Sequence, residues 1–238
     1  MKVVVHWSGG KECCLAYHKA IELGHDVAYL LTFVYAEPYF FHSFPIMELQ
    51  SKALGTPQLK VRIKDPKNPY QEILEVFARL KKEEGIEAIV TGDIAGVMHR
   101  DFYEEICEKL DMDLVMPLWN SCWWETPLSG RFRILDEELS ARIKSIFYSV
   151  NLDYFGEEWL GRKLDKACIK DLKALVDKHE IDACGEDGRG YHTMVIDSPF
   201  FKEVIKIGKF SKARARVVRT NSSWLYMDVK EAFLRPRK

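Results

Sequence analysis

The sequence lacks the marks of several protein classes. No apolar run reaches the roughly 20 residues that a membrane-spanning helix needs. Neither sign of charge dominates: 35 Lys and Arg stand against 36 Asp and Glu, a net charge of -1. A balance so close to neutral gives no global pull toward nucleic acid or an anionic membrane. Cys13, Cys14, Cys107, Cys122, Cys168 and Cys184 include no C-x-x-C pair, which argues against a structural zinc site. No cluster of protein ligands for a resident metal is expected. Walker-loop spacing is missing, as are internal repeats and low-complexity linkers. The first residues already read as a strand and leave no room for a signal peptide, so the expectation is a cytoplasmic protein.

What is present is ordinary for a globular chain: 238 residues, 47% hydrophobic and 30% charged. That length holds one large domain, or one domain and a smaller one. The chain is organised around its first fifteen residues. Val3 to Val5 are β-branched and suit a buried parallel strand. Gly9 and Gly10 allow a sharp turn and a close approach of backbone to a ligand. From Lys11 the pattern turns helical. A helix start with open N–H groups, a positive dipole end and a lysine is an anion site by construction. Ser8, Gly9, Gly10, Lys11, Glu12 and Cys13 therefore form a candidate phosphate cradle; the plainer alternative is a tight turn with no ligand.

Strands and helices then alternate. Asp26–Val34 reads as a second buried strand. Tyr35 to Phe44 is aromatic and carries Pro38 and His42. Ser43 caps a helix with Pro45 in its first turn, Ile46, Leu49, Ala53 and Leu54 on one face, and Gly55 as its stop. Leu59–Ile63 is a short strand. A helix opens at Asn68-Pro69 and closes at Gly85, and Ile86–Thr91 is the next strand, running into Gly92-Asp93. Further helices are predicted over 100–110, 135–146 and 165–179, and strands over 113–119 and 147–151. The last quarter shifts to strands at 193–197, 203–207, 213–220 and 223–233. The fold class expected is α/β with a doubly wound, mainly parallel sheet, followed by a smaller α+β domain. The boundary is placed near residue 120: residues 1–120 for ligand binding, 121–238 for a substrate.

In such sheets ligands sit at the carboxyl ends of strands. Ser8, the end of the second strand near Phe33, and Gly92-Asp93 should therefore border one crevice. Asp93 can hold a cation through water or bind a nucleotide, or it can simply cap the next segment; Glu12 is a weaker candidate for the cation. Trp119 is a core residue or a stacking surface. Lys202 to Arg219 carries seven basic residues against Glu203: either a surface for an acidic protein or RNA, or one wet face of antiparallel strands.

Ser8-Gly9-Gly10-Lys11-Glu12-Cys13 resembles the SGGKDS loop of N-type ATP pyrophosphatases, with Glu12 for Asp and Cys13 for Ser. Gly92-Asp93-Ile94, Pro117-Leu118-Trp119, the stretch from Gly156 to Asp165, and the stretch from Cys184 to Thr193 follow in an order that resembles the diphthine–ammonia ligase family. That resemblance implies an adenine-nucleotide α-hydrolase type of N-terminal domain. It implies ATP and Mg²⁺ as cofactors, an acyl-adenylate route with AMP and pyrophosphate released, and amidation by ammonia of diphthine on elongation factor two. It places nucleotide contacts at the loop, Phe33, His42, Gly92 and Asp93, and catalytic roles at Lys11, Asp93, Glu186 and His192. The family usually has a glutamate where Arg189-Gly190 stands here. A divergent paralogue acting on another acid, for example in cobalamin salvage, or on tRNA, and a non-catalytic ATP-binding protein are the alternatives. A homo-oligomer stays open.

Overall fold

A computed structural model describes residues 1–35, 41–218 and 220–237. The aromatic stretch at 36–40, with Pro38, and Arg219 fall outside the described residues. The chain divides into two compact units: Met1–Ser8, Glu12–Tyr39 and Thr56–Trp119 form the first, and Gly9–Lys11, Phe40–Gly55 and Asn120–Lys238 the second.

The first unit is a five-stranded parallel sheet in the order β3-β2-β1-β4-β5. Its strands are β1 (Lys2–His6), β2 (Asp26–Val34), β3 (Gln58–Arg62), β4 (Ala88–Val90) and β5 (Asp113–Val115), with helices α1 (Lys11–Glu22), α3 (Tyr70–Glu84) and α4 (Val97–Leu110); α2 (Phe44–Leu54) belongs to the second unit. Val5 sits between Leu30 and Val90 in register. Alternate residues Val4, Leu31, Phe33 and Ile89 pack with Ile73, Phe77 and Leu80 of α3 and Tyr103, Ile106 and Cys107 of α4. Val3 and Val5 point to the opposite face and are equally buried. A central strand covered on both faces explains the unbroken valine run. Two predicted strands are shorter than expected: 86–91 keeps its ladder only over β4, and 113–119 only over β5, with Pro117 unable to donate to a ladder.

The second unit holds α2, two short 3₁₀ turns (Trp123–Glu125 and Leu128–Phe132), α5 (Arg133–Ser140), β6 (Lys144–Asn151), a 3₁₀ turn at Glu157–Trp159, α6 (Lys166–His179), β7 (Tyr191–Asp197), β8 (Glu203–Val217) and β9 (Ser222–Pro236). Its sheet is antiparallel, in the order β7-β6-β9-β8. Ser43 caps α2 by accepting from the Ile46 amide, and Gly55 ends it. The buried face of α2 is Ile46, Met47, Gln50, Ala53 and Leu54, so Gln50, not Leu49, turns inward.

Two expectations fail here. The helix predicted over 135–146 stops at Ser140; Arg142 takes a left-handed φ of 56° and Lys144 begins β6. Ile143 and Ile146 happen to keep the helical period, but all of β6 after Lys144 is buried, which removes the alternation that would have marked a strand. The separate strands at 203–207 and 213–220 are one strand, β8, whose ladder with β9 shifts register around Gly208, between Ile207 and Phe210. No helix among the described residues is long and apolar enough to cross a membrane.

Candidate active site

In the first unit, β2, β1 and β4 are parallel neighbours, so their carboxyl ends lie on one edge of the sheet. The Ser8 loop leaves β1 there, and Gly92-Asp93 follow β4. This is the crevice position expected of an open α/β sheet. The Ser8 hydroxyl reaches the Cys13 sulfur at 3.5 Å, across the first turn of α1. A Cβ on Gly92 would lie 2.7 Å from the Cys13 amide nitrogen. Only glycine lets the end of β4 come that near the N-terminal turn of the helix. Phe33 is buried, its ring against His6 and Phe77.

Asp93 is partly buried, with Oδ1 3.0 Å from Nδ1 of the exposed His99. Burial pulls its pKa up, but the hydrogen bond and charge of His99, with the nearby His6, outweigh that, and the carboxyl ends below its ordinary range. His6 Nδ1 lies 3.0 Å from the Tyr103 hydroxyl. Burial pushes the His6 imidazole below its usual value despite the pull of Asp93. The result is an ionised carboxylate beside a neutral imidazole.

The second unit gathers Gly9, Gly10, Lys11, His42, Glu186 and His192. Gly9 has φ +77°, and a Cβ there would strike Gln50, Met194 and Met47 at 2.7–2.8 Å. Its carbonyl accepts from Gln50 Nε2 at 2.9 Å and from the Val195 amide at 3.0 Å. Gln50 also donates to the Val195 carbonyl at 2.8 Å. Lys11 is 2% exposed. Its amide donates to Thr193 Oγ1 at 3.2 Å, its ammonium donates to the Cys184 carbonyl at 3.1 Å, and the same ammonium lies 5.1 Å from the centre of the Tyr191 ring. The lysine is thus anchored on the 184–193 segment.

His192 packs against Phe41, His42 and Trp224, with ring centres 4.6, 5.2 and 5.4 Å away. Burial, then the charges of His42 and Lys11, drive its pKa well below the ordinary value. At neutral pH it is an uncharged imidazole, able to accept a proton or a hydrogen bond but not to act as a standing acid. Glu186 is partly buried in the loop that follows Asp182.

Three of the residues that hold that loop, Asp182, Trp123 and Arg131, belong to no motif of the sequence. Asp182 Oδ2 accepts from Trp123 Nε1 and Arg131 Nη1, both at 2.9 Å, and Oδ1 accepts from the Cys184 amide at 2.8 Å. The Tyr191 hydroxyl donates to the Ala183 carbonyl at 2.7 Å. Arg189 is bound to Asp187 and to the Glu180 carbonyl. The charge of Arg189 is therefore paired within its own loop. The one available signal was the density of acids at 180–187, which does not reveal a partner fifty residues earlier. Among the basic strand residues, Lys212 and Arg214 both pair with Glu157. Trp119, partly buried, has Arg100 over its ring.

The strand order, the glycine loop and the helix after it define a HUP-like α/β fold of the adenine-nucleotide α-hydrolase type, joined in one chain to an antiparallel four-stranded unit. Sequence profiles for the diphthamide synthase N-terminal domain and C-terminal domain match residues 1–114 and 133–232; the chain belongs to the diphthamide synthase family. Similar proteins are the diphthine--ammonia ligases of Homo sapiens, 25% identical over 229 residues, and Bos taurus, 24% over 229 residues, each match covering 86% of this chain and 82% of the relative. The diphthine--ammonia ligase of Danio rerio is 24% identical over 232 residues, covering 87% of this chain and 86% of the relative.

Proposed function

We propose that this protein is a cytoplasmic ATP-dependent carbon–nitrogen ligase. It activates a carboxylate on diphthine-bearing elongation factor two as an acyl-adenylate and transfers it to ammonia, releasing AMP and pyrophosphate. Residues 1–120 are assigned to ATP and 121–238 to the substrate. The observation that carries the reading is the strand–glycine loop–helix at Ser8–Cys13, at the carboxyl edge of a parallel sheet, in a chain of this family. ATP fits what is there: the Gly92 backbone lies against the first turn of α1 where a side chain would obstruct it, and the helix start offers N–H groups to phosphate oxygens.

Each residue then has a task. Amides of Ser8 to Cys13 orient the phosphates and take up charge on the leaving pyrophosphate. Lys11 adds positive charge at the same helix start. Asp93, held ionised, and Glu12 are the carboxylates that would meet Mg²⁺, directly or through water. Mg²⁺, when bound, neutralises phosphate charge. Glu186 and the neutral His192 are assigned to the amidation step: ammonia attacks the acyl carbon, AMP leaves, and His192 accepts the proton that the newly bonded nitrogen sheds.

The test is AMP release from Mg·ATP with ammonium, with and without diphthine-bearing elongation factor two. Release that depends on the elongation factor is expected. Release without that dependence would reject this substrate, and no release in wild type or in Cys13→Ser would reject the enzyme reading.

A further inference from the structure

A groove of about 840 Å³ opens in the second unit, well away in sequence from the residues assigned to ATP. It is walled by the start of β6, the end of β7, the stretch 160–165 and the first half of β8. Five consecutive residues of β8, Val204 to Gly208, line it. β8 is the end strand of its sheet and, among the described residues, pairs only with β9. No described residue hydrogen-bonds to its other edge over Val204–Gly208. An unpaired strand edge beside a groove of this size is a template for an added strand.

The groove's side chains say which strand. Its lining includes the apolar Ile143, Leu164, Ile205 and Ile207. Its acids are already engaged: Asp197 pairs with Lys144 at 2.8 Å and Arg237 at 2.6 Å, and Asp165 caps α6. Its cations Arg142, Lys163 and Lys206 form no ion pair with any described residue. Lysines along an edge deter pairing with unselected chains. The same charges admit an acidic one, since complementary charge both attracts and discriminates.

We propose that this groove binds an extended acidic peptide segment of a partner protein. The segment adds as a strand to the free edge of β8, with apolar side chains on the groove floor and carboxylates toward Arg142, Lys163 and Lys206. The site shares no residue with those assigned to ATP and does not depend on the reaction proposed above.

The test uses the full chain and a fluorescein-labelled peptide, Ac-(Glu-Val)₄-amide, followed by anisotropy at low salt. Three comparisons read the mode. The first is the same peptide N-methylated at alternate residues along either edge, which keeps charge and side chains but blocks the ladder. The second is a Lys-for-Glu peptide, and the third is the doubly substituted protein Lys163→Glu/Lys206→Glu, whose exposed sites leave folding intact. Binding weakened about tenfold or more in each comparison, together with slowed amide exchange at the free edge of β8, is expected. No binding of the acidic peptide, or equal binding of all the N-methylated forms, would overturn the proposal. So would slowed exchange at Val204–Gly208 that rises with protein concentration in the absence of peptide, because the edge would then belong to a second copy of the chain.

Discussion

Asp182 and Asp93 are both carboxylates shielded from most of the solvent, yet they are held differently. Asp182 has no exposed side-chain surface and accepts three hydrogen bonds, from a guanidinium, an indole and a backbone amide. None of those donors gives up its proton in the physiological range. Asp93 keeps 18% of its side chain exposed, and its nearest titratable neighbours are imidazoles, His99 beside it and His6 behind. Imidazoles change charge within that range. The first carboxylate is scaffold for the loop that carries Cys184, and the second stays partly open to solvent just past the end of β4.

The largest effect should follow from breaking the scaffold. Asp182→Ala leaves Arg131 buried without its counter-charge, and such a loss costs about 3–5 kcal/mol. Urea melts check it. Replacing Arg131 as well, by Met, should recover part of the loss; an Asp182→Ala protein as stable as wild type would remove the distinction drawn above.

Next in size is Lys11, whose ammonium rests on the Cys184 carbonyl that Asp182 positions. Groups of this kind are worth about 2.7–4 kcal/mol at a transition state. Lys11→Ala should therefore slow AMP release by about two orders of magnitude or more, measured at saturating Mg·ATP.

Histidines sharpen the contrast through pH. His18 of α1 is buried, and its pKa falls from 6.5 to about 4. The unfolded chain therefore takes up the proton first as pH falls. Stability from this residue is fully present above pH 6.5 and is lost on the way down to about pH 4. The gap corresponds to about 3 kcal/mol. His6 and His192, also lowered by burial, act in the same direction. Thermal melts between pH 7 and pH 4 should show the decline, and His18→Leu should flatten part of it. A melting temperature that rises over that interval would contradict the assignment.

The smallest effect belongs to the hydrogen bond behind Asp93. Tyr103→Phe removes the hydroxyl 3.0 Å from His6 Nδ1 at a cost of about 1 kcal/mol. Chemical denaturation detects it, and a cost several times larger would mean that the open cluster is as rigidly built as the closed one.

The sequence disclosed what is local. The valine run, the glycine turn, the Ser43 cap and the stops at Gly55 and Gly85 are set by a few adjacent residues, and α1, α2, α3 and β2 were legible to within a residue or two. What depends on distant packing was not. Gln50 reads as a surface residue of α2 until the Gly9 and Val195 carbonyls are brought to its amide. Asp182 reads as one acid among several until Arg131 and Trp123 meet it. Ile143 and Ile146 fit a helix by period because a strand buried on both faces has no period of its own. For the site, the Ser8 loop and Gly92-Asp93 were legible as motifs, while the anchoring of Lys11 on Thr193 and Cys184 required the fold.

The most direct test of the central claim, that the Ser8–Cys13 loop is a nucleotide site, is calorimetric titration of Mg·ATP into the full chain and into Lys11→Ala. Saturable binding by wild type that is lost or strongly weakened in the variant is the predicted result. A wild-type protein that takes up no heat from Mg·ATP while remaining folded would contradict the claim, and with it the assignment of this loop as a phosphate cradle.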